Sequence, residues 1–73
     1  MAHVTYYYVV RQPGGWAVEY DDKVLCCFRS QEQAVAQARL IGRERNEACE
    51  IKVQEATTGR FRTEASYGLP AAG

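Results

Sequence analysis

The run SQEQAVAQARLIGRERN, Ser30 to Asn46, decides the architecture of this chain. Ser30 has the hydroxyl of an N-cap, able to accept from a backbone N–H one turn in, and Gln33 three residues later completes a capping box. At about 100° per residue, Ala34, Val35, Ala38, Ile41 and Gly42 fall on one narrow stripe. Asn46 tolerates the left-handed conformation of a C-terminal cap. Arg39, Arg43 and Arg45 crowd the last two turns, and those nearest the end complement the negative pole of the helix dipole by about 0.3–1 kcal/mol each. The stripe requires an apolar surface to lie on, and its small residues would let the helix backbone sit close to it.

The flanking segments supply that surface, because they all read as strands. Thr5 to Arg11 holds three tyrosines and two valines and is apolar on both faces, with Tyr6, Tyr8 and Val10 on one and Tyr7 and Val9 on the other. A half-buried strand would alternate more cleanly. This strand is therefore central in its sheet, or its outer face meets another chain. Gln12-Pro13-Gly14-Gly15 is a turn. Trp16 to Tyr20 alternates, with Trp16, Val18 and Tyr20 inward. Asp21-Asp22 turns into Lys23 to Phe28, with Val24, Cys26 and Phe28 on the core face.

After the helix, Cys49 to Glu55 directs Ile51 and Val53 inward. Ala56 to Gly59 is a hairpin loop, and Arg60 to Glu64 directs Phe61 and Thr63 inward and Arg60, Arg62 and Glu64 outward. Trp16, Phe28, Ile51 and Phe61 would fill the space around the helix. The expected fold is a single α+β domain over residues 5–68, an antiparallel sheet of about five strands with one helix packed on one face, in the order β-β-β-α-β-β. The expected spatial order of strands is 3-2-1-5-4. Residues 1–4 and 69–73 read as flexible termini.

Composition excludes several functions. Nine basic and nine acidic side chains cancel, which argues against strong non-specific attraction to nucleic acid or anionic membranes. Zero net charge also removes the repulsion that keeps copies apart. Three cysteines, two of them adjacent on opposite faces of a strand, make no disulfide framework and fit a reducing cytoplasm. No secretory leader and no run of about 20 apolar residues is visible.

The single histidine, His3, leaves no base for a Ser or Cys nucleophile in the folded part, and the cysteines lack chelating spacing. Asp21 and Asp22 read as solvated turn formers. Gly14-Gly15 precedes a strand, so no helix dipole points at an anion there. No catalytic, cofactor-binding or metal residue is expected, and no cofactor or small-molecule ligand.

The chain resembles a small bacterial family. The residues that carry the likeness are Tyr8-Val9-Val10, then Gly14-Gly15-Trp16-Ala17-Val18, then Phe28 with Ser30, Ala34, Val35, Ala38, Arg39 and Ile41, then Gly59-Arg60-Phe61 and finally Ser66-Tyr67-Gly68. Together they look like the family catalogued as domain of unknown function 2188, over Tyr7 to Gly68. The resemblance implies a short, soluble, bacterial domain and brings no activity with it. Relatives often carry Pro after the Val-Val pair, where this chain has Arg11, and a polar residue where it has Leu40.

Two surfaces remain as candidates. The first is a self-association surface of Tyr6, Tyr7, Tyr8 and Leu40, since tyrosines suit an interface and Leu40 falls opposite the buried stripe. It implies a non-enzymatic interaction module that forms a homodimer. The alternative is weak nucleic-acid binding, with Arg11, Arg60 and Arg62 holding phosphates beside a tyrosine on an open sheet face.

Overall fold

The computed structural model describes residues 4–45 and 47–68. Its elements run β1 (Thr5–Gln12), β2 (Gly15–Tyr20), β3 (Lys23–Phe28), α1 (Gln31–Glu44), β4 (Cys49–Gln54) and β5 (Phe61–Tyr67). The expected α+β architecture of one helix on a five-stranded sheet is present. Ser30 caps α1 with an extended backbone, its Oγ accepting from the Gln33 N–H at 3.2 Å. The helix closes on Arg45, whose N–H donates to the Ile41 carbonyl. Asn46 and the expected flexible ends at residues 1–3 and 69–73 lie outside the described residues.

Ala34, Ala38 and Gly42 are the residues of α1 that bury fully. They lie over Tyr7, Val9, Val18, Cys49, Ile51 and Val53, and Val35 and Ile41 pack at the margin with Trp16 and Phe28. The small-residue stripe thus does what its spacing requires: it brings the helix backbone down onto the three middle strands.

The strand order is β3-β2-β1-β4-β5, not the expected 3-2-1-5-4, and the sheet is mixed because β1 and β4 run parallel. The direction of α1 explains this. It carries the chain from the end of β3 back to the starting edge of the sheet, so β4 runs the same way as β3. Two antiparallel steps make β3 parallel to β1, and β4 therefore meets β1 in parallel. Composition decides which strand of the last hairpin sits inside. β4 buries Cys49, Ile51 and Val53, whereas β5 carries Arg62 and Glu64, charges that suit an edge.

Both edge strands are bulged. Opposite the consecutive residues Val18 and Glu19 stand Cys26 and Val24, so Leu25 has no partner. Opposite Ile51 and Lys52 stand Ala65 and Thr63, so Glu64 has none. An extra residue reverses which side chains face the helix from that point on. This corrects two expectations. Val24 lies on the face away from the helix, and so do Phe61 and Thr63, while Arg62, opposite the buried Val53, lies on the helix side. Cys26 and Cys27 do fall on opposite faces, Cys26 against the core and Cys27 exposed.

Candidate functional site: the open face of the sheet

One face of the sheet is covered by α1 and the other is open. Successive residues of a strand alternate between the two, so the burial of Tyr7 and Val9 commits Tyr6, Tyr8 and Val10 to the open side. The registers lay out a row across it: Val24, Glu19, Tyr8, Lys52 and Thr63, one from each strand in spatial order. Cys27, Ala17 and Val10 form the row above, and Tyr6, Glu50 and Ser66 the row below.

Large apolar side chains are concentrated here. Tyr6 is 41%, Tyr8 37%, Val24 49% and Phe61 47% exposed. Their rings are ordered against one another: Tyr8 meets Phe61 edge-on at 5.6 Å between centroids, and Tyr6 lies 6.5 Å from Tyr8. Lys52 Nζ sits 5.9 Å from the centre of the Tyr6 ring, 3.2 Å from Glu50 and 2.6 Å from Thr63 Oγ1. Glu19, on the other side of Tyr8, accepts from Gln12 Nε2 at 3.4 Å. The result is an aromatic ridge along the middle of an otherwise shallow surface, with Glu19 on one side of it and Lys52, paired with Glu50, on the other.

The candidate residues read from the sequence divide among three places. Tyr6 and Tyr8 are together on the open face. Tyr7 is in the core, 1% exposed. Leu40 is exposed on α1, in the other layer of the domain. Phe61 and Val24 belong to the open face and were missed, because the bulges that turn them outward leave no mark in the local pattern.

The three arginines are not assembled into one surface. Arg11 shares the helix-side parity of Val9; its N–H donates to Gln54 Oε1 at 2.9 Å and its guanidinium to the Ala56 carbonyl at 3.0 Å. Arg60 lies in the loop before β5, its N–H donating to Thr58 Oγ1. Arg62 pairs with Glu64, which also takes Arg39 at 3.3 Å. That shared carboxylate borders a cleft of about 340 Å³ between α1 and β5, on the covered side of the sheet. Among the described residues no group of three or more His, Cys, Asp or Glu side chains is placed to hold a metal ion, and His3 lies outside them.

Beneath the helix end, Arg45 stacks 5.9 Å from the Tyr7 ring centre and 5.6 Å from that of Tyr20, and pairs with Glu47 at 2.9 Å. Burial pushes the Tyr7 phenol up, with Arg45 pulling partly the other way. Burial likewise raises the Cys26 and Cys49 thiols. All three groups therefore keep their protons longer in the folded chain than in the unfolded one. Their contribution is fully present below the ordinary thiol range and is lost as pH rises through it and then through the phenol range. The urea midpoint should be flat near neutrality and fall above about pH 9. Tyr7→Phe, which removes a hydroxyl with no partner among the described residues, should make that decline shallower. A midpoint that rises with alkaline pH would contradict the assignment.

No family model, no curated protein and no solved structure matches the chain.

Proposed function

We propose that this protein is a non-enzymatic interaction module that forms a homodimer through the open face of its sheet. The observation that carries the reading is the exposed cluster of Tyr6, Tyr8 and Phe61, with Val24 beyond Glu19, on the face α1 leaves uncovered. Five strands about 4.8 Å apart, each about 20 Å long, make a face roughly 20 Å square. With side-chain relief added, this approaches the low end of a standard interface, about 600 Å² per partner. Stiff tyrosines lose little entropy on docking, and zero net charge puts no long-range repulsion between copies.

The three free thiols fit a reducing cytoplasm, and no helix among the described residues is long and apolar enough to cross a membrane. The resemblance to domain of unknown function 2188 read from the sequence, which no family-model match supports, brings no activity to weigh against this reading. The arginines offer the nucleic-acid alternative no common face.

Gel filtration with light scattering tests the proposal. The wild-type chain at about 100 µM should elute at twice the monomer mass. Tyr8→Glu, which places a charge at the centre of the patch, should elute as a folded monomer, with dimer affinity down at least about a hundredfold. Monomer mass for the wild type would refute self-association.

A further inference from the structure

We infer the symmetry of that dimer from the row that crosses its centre: a two-fold axis runs along β1, stacking the two β1 strands in the same direction and setting Glu19 of each copy against Lys52 of the other. The inference rests on self-association through the open face and adds the arrangement within it.

Two sheets related by a two-fold and packed face to face have the axis in the plane between them. Two orientations respect the near-alignment of strands, within about 30°, that packed sheets adopt. With the axis across the strands, each strand lies over its own copy. Glu19 then faces Glu19 and Lys52 faces Lys52, all beneath a desolvated aromatic ridge. With the axis along β1, the strands on either side of it exchange. Glu19 stands opposite Tyr8 on β2 and Lys52 opposite Tyr8 on β4, so the two charges are equally spaced about β1 in one row. The rotation brings each onto its opposite, twice per dimer. Tyr8 stacks beside its counterpart at the axis.

Relief agrees with charge. The same operation carries the β4–β5 half of one face, which bears Phe61, over the β2–β3 half of the other, where Ala17 and Cys27 lie low. Large then meets small in an isologous contact, where residue i touches j and j touches i. Lys52 enters it already oriented by Glu50 and Thr63, with protons to spare for one more acceptor. The alternative axis is disfavoured because it would press like charges together where water is excluded.

Charge reversal in two chains distinguishes the arrangements. Glu19→Lys alone sets an ammonium group against Lys52 of the other copy, and Lys52→Glu alone sets a carboxylate against Glu19 of the other copy. Each should raise the homodimer Kd about ten- to a hundredfold by sedimentation equilibrium. An equimolar mixture of the two should form a heterodimer tighter than either homodimer, because one chain then presents only ammonium groups in the row and the other only carboxylates. Both reversals in one chain should also restore the dimer.

Should a reversal unfold the chain, as circular dichroism would show, Glu19→Gln and Lys52→Gln serve instead. Each should weaken the dimer, and the double variant no further than either alone. A wild-type dimer indifferent to these changes, or a mixture that stays monomeric, would overturn the axis and leave self-association standing. A monomeric wild type would overturn both.

Discussion

Ile51→Ala should lower the unfolding free energy by about 2–5 kcal/mol, the cost of emptying a packed site that cannot collapse. Among the described residues, Ile51 is the largest aliphatic side chain buried completely, second in size only to Tyr7. It sits on β4 between β1 and β5, opposite Tyr7 and Ala65, and beneath the helix. The residues α1 buries, Ala34, Ala38 and Gly42, are already minimal, so none of them can swing in to fill the void. A domain of 73 residues has about 4–11 kcal/mol in all, so the variant should unfold at much lower urea than wild type, or fail to fold at about 37 °C. Ile41→Ala, at the partly exposed margin of the helix, should cost less. Equal midpoints for Ile51→Ala and wild type would remove Ile51 from the core.

The second large effect is expected at Gly15, where β2 begins. A Cβ there would overlap the Phe28 carbonyl oxygen and stand 3.2 Å from the carbonyl carbon and 3.4 Å from Arg29 Cα. Those are backbone atoms of β3 and of the link to the helix cap, so nothing flexible can yield. Gly15→Ala must push β3 away from β2 near Trp16 and Phe28, which pack on the core margin. A cost of about 3 kcal/mol, the upper range for overpacking, is expected in chemical denaturation. Loss of under about 0.5 kcal/mol would show that the strand edge is free to move.

Gly68 is held by the same kind of constraint as Gly15. The Gly-Gly-Trp-Ala-Val run contains a glycine demanded by backbone contact, and the closing Ser-Tyr-Gly ends on Gly68, which has φ +69° and a Cβ position 2.8 Å from the Glu47 carbonyl oxygen. Both glycines answer to the fold.

How much of this was legible in the sequence differs from element to element. The helix was, because a serine cap and a 3.6-residue stripe are local signals, and the structure has the cap at Ser30 and the stripe buried through Ala34, Ala38 and Gly42. The strands were, because β-formers and turn residues are local too. β1 resisted: with tyrosine and valine on both faces, hydrophobic alternation cannot say which side the helix covers. Only the docking of α1 selects Tyr7 and Val9. The partnering of β1 with β4 also escaped, since it depends on where α1 returns the chain. The bulges at Leu25 and Glu64 escaped for the same reason, as a one-residue slip is invisible until the partner strand fixes the register. Their consequence falls on function, because they move Val24 and Phe61 out of the expected core and onto the open face. Leu40 and the three arginines had exposure or charge to recommend them, but sequence spacing does not reveal that they sit on different surfaces from Tyr6 and Tyr8.

The most direct measurement is an isotope-filtered nuclear Overhauser spectrum on an equimolar mixture of labelled and unlabelled chains at several hundred micromolar. Cross-peaks between copies should join the Tyr8 ring to the Tyr8 ring, and the Tyr6 ring to the Tyr6 ring, of the other chain, with none from Leu40. A spectrum without intermolecular peaks, or with peaks only from the helix surface, would contradict the assignment of the open sheet face as the place where a second copy binds.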